Sequence, residues 1–300
     1  MSFERHLRRS GYLAAHISVA SGCRQGVLLS NLHRCSPLQL LTVQDVAVPF
    51  LTLAPHLQIH YTQFAGATDK PWLVLLHEGL GSIAQWRDYP QRLNERTGCP
   101  VLVYDRQGYG QSSPMDRERT IHYLHQAALT ELPAVLDKLI PDQDYWVIGH
   151  SDGGSIALLH AAEKNPRLRG AITEAAHVFI EPETLAGIRV ADEAYAAGKL
   201  KNLTRYHGDK TDWVFHSWAR TWLSQPFQPW NIEYVLPSID VPMLVMQGRE
   251  DQYATEAQVT AIVTQSPRAE AAIIDHCGHT PHREQTDIVL AQMSDFIARS

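Results

Sequence analysis

Ser151 sits at the centre of Gly149-His150-Ser151-Asp152-Gly153, a G-x-S-x-G run in which the outer positions carry no side chain. That pattern suits a serine held on a very tight turn. A Cβ at either glycine would collide with neighbouring backbone, and the turn pushes the serine hydroxyl outward. A serine hydroxyl is a weak nucleophile until a base takes its proton, and the base needs an acid to orient it. The acid candidate is Asp251 in Gly248-Arg249-Glu250-Asp251. The base lies among His276, His279 and His282 in Asp275-His276-Cys277-Gly278-His279-Thr280-Pro281-His282. His279 follows a glycine and stands two residues before a proline that suits a helix start, which places it on a loop. His276 lies nearer the preceding apolar run, and His282 falls in the helical stretch. The chemistry implied is nucleophilic acyl transfer by Ser151, His279 and Asp251.

Such chemistry also needs two backbone N–H groups aimed at the tetrahedral oxygen. One is the N–H of Asp152, directly after the serine. The other is assigned to Gly79 in the glycine-rich segment His77-Glu78-Gly79-Leu80-Gly81-Ser82. Three acids are placed near the serine: Asp152, Glu78 and Glu174. Unpaired, they would repel anionic acyl groups and attract an amine; tied up in loop hydrogen bonds, they would be scaffolding. A metal site is the rival use of the histidines. The three-residue step of His276, His279 and His282 is compatible with a ligand cluster, but no carboxylate is fixed by it, so the expectation is no metal.

The elements that must position these groups are legible as apolar runs. Trp72–Leu76, Val101–Tyr104, Tyr145–Ile148 and Pro242–Met246 are uninterrupted, as strands buried on both faces are. Pro55–Tyr61 alternates apolar with polar, the mark of a half-buried strand. Helical stretches intervene at Ile121–Leu139, Ser155–Glu163 and Thr255–Gln265. Strands alternating with helices predict a doubly wound, mostly parallel sheet. Each candidate residue then falls just after a strand: Gly79, Ser151, Asp251 and His279 in turn.

Between the run near Ile172 and Met243, about seventy residues lack a strand pattern and hold an alanine-rich helix at Leu185–Leu200. This reads as a helical insertion at about 178–238. It contains Trp213, Trp218, Trp222 and Trp230, four of the seven tryptophans. Trp218 and Trp222 share a helix face; they either pack the insertion onto the sheet or line an acyl pocket as part of a lid.

Composition narrows the classes further. The chain has 300 residues, a net charge of −6 and 44% apolar residues, which excludes disorder and argues against nucleic acid as a partner. No apolar run reaches the length of about 18 residues needed to span a bilayer. The four cysteines, Cys23, Cys35, Cys99 and Cys277, match neither a disulfide framework nor a zinc pattern. The first forty residues hold five arginines against one acid and show no periodicity. Arg8-Arg9, the short apolar stretch after them and Cys23 faintly resemble an export or lipoprotein signal. The reading adopted is an extension over 1–42, loosely attached or a product of a start codon placed too far upstream, with the folded domain at 43–300 and a cytoplasmic location.

Taken together, His77–Ser82, Asp105-Arg106-Gln107-Gly108-Tyr109-Gly110-Gln111-Ser112, Gly149–Gly153, Gly248–Asp251 and Gly278-His279 resemble the α/β-hydrolase superfamily over residues 43–299. Ser151-Asp152-Gly153-Gly154 and the length of the insertion are similar to its esterase and valacyclovir-hydrolase-like branch. The resemblance implies an eight-stranded sheet, a helical cap after the sixth strand, a Ser151–His279–Asp251 triad and no cofactor. Two features depart from the family: Glu78 stands where glycine is usual, and residues 1–42 have no counterpart. The expected function is hydrolysis of a small to medium carboxylic ester, thioester or lactone through an acyl-enzyme, on a small-molecule substrate. The alternatives are a C–C bond hydrolase of a ring-cleavage product using the same triad, and a non-catalytic binding protein on the same fold. The substrate pocket is placed at Glu78, Glu174, Trp218 and Trp222.

Overall fold

The computed structural model describes residues 49–300; the extension predicted at 1–42, with its Arg8-Arg9 pair, lies outside the described residues. Eight strands form one sheet: β1 (Phe50–Ala54), β2 (Leu57–Phe64), β3 (Trp72–Leu76), β4 (Val101–Tyr104), β5 (Tyr145–His150), β6 (Leu168–Glu174), β7 (Met243–Gly248) and β8 (Ala269–Ile274). Their spatial order is β1-β2-β4-β3-β5-β6-β7-β8. β1 and β2 pair antiparallel, as do β2 and β4, and every later pairing is parallel.

The solid apolar runs arise because the parallel strands are covered on both faces. Side chains alternate between faces with period two. Leu73, Leu75, Val101, Val103, Trp146 and Ile148 therefore face one layer, where Tyr89, Leu93, Val289, Met293 and Phe296 cover them. Val74, Leu76, Leu102, Tyr104 and Val147 face the other, under Leu132, Val135, Ile156, Val259 and Ile262. Each such fully buried aliphatic side chain contributes about 1.5–3 kcal/mol relative to exposure. The edge hairpin is different. β1 alternates exposed with half-buried residues, so its apolar signal is weak and the strand is missing from the sequence reading.

The chain goes from β3 outward to β4, then returns past β3 to β5. The loops after β3 and β5 consequently diverge and leave a crevice at the carboxyl ends of the central strands, the place where such sheets bind ligands. After β6 the chain leaves the sheet for a helical cap, with helices at Pro182–Ala196 and Thr211–Leu223. An isolated bridge between Phe179 and Asn231 and a 2.7 Å hydrogen bond from Ile232 N–H to the Val178 carbonyl join the two ends of this excursion before the chain enters β7. Among the described residues no helix is long and apolar enough to cross a membrane.

Candidate active site

Ser151 lies between the end of β5 and the helix Asp152–Ala161, with φ 53° and ψ −116°. A non-glycine residue at positive φ costs about 1–3 kcal/mol and persists only where the surroundings enforce it. Here packing enforces it: a Cβ at Gly153 would collide with the backbone carbonyl of Leu76 on the neighbouring strand. The helix can press that closely against β3 only because position 153 is glycine.

The three residues of the predicted triad come together from three strand ends. Ser151 Oγ lies 3.0 Å from His279 Nε2. His279 Nδ1 lies 2.9 Å from both carboxylate oxygens of Asp251. With Nδ1–H donating to Asp251, the Nε2 lone pair faces the serine hydroxyl, the arrangement a general base needs. Burial alone would lower the His279 pKa; Asp251 beside it, together with Glu78 and Glu284, outweighs burial and holds it above the ordinary imidazole value. Burial likewise works against the Asp251 carboxylate, but His279 and a hydrogen bond from the Tyr253 N–H keep it below the usual carboxylate range.

The loop carrying His279 is fixed by groups that the sequence reading did not single out. Glu284 accepts hydrogen bonds from Gly278 N–H at 2.9 Å and Thr280 N–H at 3.0 Å, one on each side of the histidine. His150 Nε2 donates to the His279 carbonyl at 2.7 Å. The signals were present, as the x position of G-x-S-x-G and as a carboxylate five residues after His279, but neither announces its partner.

Gly79 and Asp152 face the same crevice as Ser151. A Cβ at Gly79 would lie 2.5 Å from Trp218 Cδ1, so glycine is required there for the cap to close over the loop. The loop itself is pinned by Arg106 Nη2, which donates to the Glu78 carbonyl at 2.8 Å. Among the described residues no backbone acceptor takes the Gly79 or the Asp152 N–H.

A cavity of about 60 Å³ opens above Ser151, lined by Glu78, Gly79, Asp152, His177, Trp218, Trp222, Tyr253 and His279 among others. At about 30 Å³ for each water in the liquid, that is room for about two water molecules. Trp218 and Trp222 thus line the cavity from one face of the cap helix. Trp230 instead stacks on Phe227, and Trp213 lines a larger cavity of about 330 Å³ that contains none of Ser151, Asp251 or His279.

The placement of Glu174 in the substrate pocket is corrected. It ends β6, but it is fully buried and absent from the cavity lining, accepting from the His282 N–H at 2.8 Å and from its Nδ1 at 3.0 Å. The rings of Trp86 and Tyr89 pack on His282, with centroids 4.4 and 5.3 Å away. His276 is a surface residue, its side chain 89% exposed. The three histidines of the loop therefore go to three separate surroundings. Among the described residues no group of three or more His, Cys, Asp or Glu side chains is arranged to hold a metal ion.

Fold and site together place the protein among the hydrolases built on a doubly wound sheet with a serine after the fifth strand. The chain matches the profile of the alpha/beta hydrolase family over residues 73–292 and belongs to that family. It is 34% identical over 108 residues to the proline iminopeptidase of Lactobacillus delbrueckii subsp. lactis, a stretch that is 36% of this chain and 36% of that relative. The chain spans about a third of that relative's length. Over 257 residues, 77% of this chain and 95% of the relative, it is 23% identical to the 2-succinyl-6-hydroxy-2,4-cyclohexadiene-1-carboxylate synthase of Serratia proteamaculans (strain 568). The solved enol-lactonase from Burkholderia xenovorans LB400 shares the fold with a TM-score of 0.65 at 21% identity, covering 83% of this chain and 100% of that one.

Proposed function

We propose that this alpha/beta hydrolase cleaves a compact carboxylic ester, or a thioester or lactone, through an acyl-enzyme on Ser151. The observation that carries the reading is the unbroken line from Ser151 Oγ through His279 to Asp251, at 3.0 and 2.9 Å, on the floor of a small cavity. In this reaction Ser151 Oγ attacks the carbonyl carbon and its proton passes to His279 Nε2. The carbonyl oxygen becomes an oxyanion held by the Gly79 and Asp152 N–H groups. Collapse of the tetrahedral species breaks the bond to the leaving oxygen, which takes the proton back from the imidazolium. Water, deprotonated by the same histidine, then releases the acid. The steps need no cofactor. The small cavity favours short acyl groups over lipid chains.

The second reading is a C–C bond hydrolase of a ring-cleavage product using the same triad; similarity over most of the chain to a synthase named for a cyclohexadiene carboxylate supports chemistry other than ester cleavage on this fold. A binding protein without activity is the reading that the hydrogen-bonded triad disfavours.

The test is turnover of 4-nitrophenyl butyrate, together with covalent labelling by a fluorophosphonate, in wild type and Ser151→Ala. Both should be lost in the variant, turnover by at least about 10⁴-fold. Full activity in Ser151→Ala would overturn the assignment of the nucleophile. A wild type that labels at Ser151 yet hydrolyses no ester would favour the C–C reading.

A further inference from the structure

Gly79 and Leu80 are the central residues of a turn closed by one backbone hydrogen bond, from the Gly81 N–H to the Glu78 carbonyl at 3.1 Å. Such a turn aims the Gly79 N–H only as firmly as its two sides are held. Arg106 Nη2 holds the entry through the Glu78 carbonyl. The exit is held from the cap. His207, at the end of the short helical turn Thr204–His207, donates from Nε2 to the Leu80 carbonyl at 2.9 Å.

His207 is buried, and both of its ring nitrogens are used. Its Nδ1 accepts from the Gly110 N–H at 3.0 Å. A carbonyl can only accept and an amide N–H can only donate, so the two bonds fix a neutral imidazole with its proton on Nε2. Burial supports that form by lowering the His207 pKa. Gly110 is the anchored end of this arrangement. At φ 46° it packs so closely on Asp105 that a Cβ would lie 2.1 Å from Cγ, and Asp105 Oδ2 accepts from the next N–H, that of Gln111, at 2.9 Å. The ring of His207 therefore spans from a fixed turn after β4 to the Leu80 carbonyl.

The cap meets the same segment at a second place. Trp218 packs where a Cβ of Gly79 would stand, and Lys210, three residues beyond His207, donates from Nζ to the Ser112 carbonyl at 2.6 Å. A cap lifted off the sheet would carry His207 away from Leu80 and Trp218 away from Gly79 together.

We infer that His207 is a positioning residue for the oxyanion hole: seated with the cap, it holds the turn that aims the Gly79 N–H, so that the hole is complete only when the cap is closed. The inference rests on the serine-hydrolase reading of the site. It gives the cap a part in binding the transition state, beside its part in shaping the pocket.

The test compares two inhibitors of 4-nitrophenyl butyrate turnover, 1,1,1-trifluoropentan-2-one and pentan-2-one. Ser151 Oγ adds to the carbonyl carbon of the first, its proton passes to His279, and the carbonyl oxygen becomes an oxyanion in the hole; the second binds without that addition. His207→Ala should weaken the trifluoromethyl ketone and lower kcat about tenfold, less than the about 10²–10³ lost with a whole donor, while KM and the pentan-2-one constant stay within about twofold. The ratio of the two inhibition constants does not depend on the fraction of chain folded, so lost stability alone leaves it unmoved. The amide nitrogen of glutamine reaches the place of imidazole Nε2, and the amide oxygen of asparagine that of Nδ1. His207→Gln should therefore restore most of the ratio and His207→Asn should behave as His207→Ala. Equal weakening of both ketones, an unchanged ratio in His207→Ala, or rescue by asparagine and not by glutamine would overturn the inference. If the wild type turns over no ester, or does not prefer the trifluoromethyl ketone, the hydrolase reading fails. Amide hydrogen exchange of residues 77–82 then still decides on the clamp: it should quicken in His207→Ala and His207→Asn but not in His207→Gln, and unchanged exchange in all three would sink it.

Discussion

Replacing Glu174 tests whether the buried pair behind the His279 loop holds the structure rather than the substrate. Its carboxylate is wholly buried at the end of β6 and receives two hydrogen bonds from His282, at 2.8 and 3.0 Å, while its other oxygen has no partner. Glu174→Ala removes one member of a buried pair and leaves the His282 imidazole enclosed by Trp86, Tyr89 and His150. Breaking such a pair costs about 3–5 kcal/mol, which for a domain of this size lowers Tm by about 6–20 °C. Glu174→Gln keeps an acceptor for both His282 bonds but puts an unpaired amide where the free oxygen was, at about 1–3 kcal/mol. The pH dependence follows from the sign of the shift. Burial opposes the charged form, but His282 outweighs it, so the folded pKa of Glu174 lies below its ordinary value. Its contribution is then complete above the unfolded carboxyl pKa, about 4.3, and is lost as pH falls through the lower folded value. Thermal unfolding followed by circular dichroism at pH 7 and in steps below pH 4.3 should show the gap between wild type and Glu174→Ala widest at pH 7 and narrowing in acid. The ratio of rates on charged and neutral esters should be that of wild type. A Tm within 2 °C of wild type at pH 7 (a loss of about 1 kcal/mol or less), or a changed substrate ratio, would refute the structural assignment.

Two more outcomes follow from the same geometry. Only the neutral imidazole accepts the serine proton, so kcat/KM should rise with pH through the His279 pKa, with its midpoint above the ordinary imidazole value because Asp251 outweighs burial; Glu78→Gln should move that midpoint down, and an unmoved midpoint would mean that Glu78 does not act on His279. Gly153→Ala drives a methyl group into the Leu76 carbonyl of a central strand, and urea unfolding should show a loss of about 3 kcal/mol or more, whereas a loss below about 1 kcal/mol would mean that the helix can shift away from β3.

What the sequence disclosed depends on how local each signal is. β3 and β4 coincide with their predicted limits, Trp72–Leu76 and Val101–Tyr104, because strands covered on both faces become unbroken apolar runs. Ser151 and Asp251 are readable since each follows such a run, and His279 follows the short apolar stretch that ends β8, a strand only partly buried. β1 escapes because half of its side chains face solvent. Glu174 is misplaced for a different reason. Its position at the strand end is local information, but the direction of its side chain is set by His282, which is 108 residues away. The same holds for Tyr123, whose hydroxyl joins Asp152 to Trp222 across 29 and 99 residues. The helical spacing of Trp218 and Trp222 identifies a shared face, and the cavity shows what that face covers. Trp213, five residues before Trp218 on the same helix, lies off that face, and Trp230 lies beyond the helix end, so neither joins the pair that lines the site.

The clamp at the base of the cap bears on how this protein can change over generations. Phe179 bridges Asn231, and Ile232 bonds to Val178, so the chain leaves and re-enters the sheet at nearly the same point. Everything between these anchors is a loop in the topological sense, closed on itself before β7 begins. The register of β6 against β7 is set outside these anchors, while Phe215, Trp218 and Trp222 within them pack into the core beside the sheet, so changes that spare these three side chains should leave the placement of Ser151 intact. Sparing His207 as well keeps its bond to Leu80. The helix after Ser151 and the strand ends are under the opposite constraint, since Gly153 against Leu76 admits no added atom. Recombination at 179 and 231 would thus combine an unchanged reaction centre with a new selectivity, which makes these two positions the natural seams for constructing chimaeras.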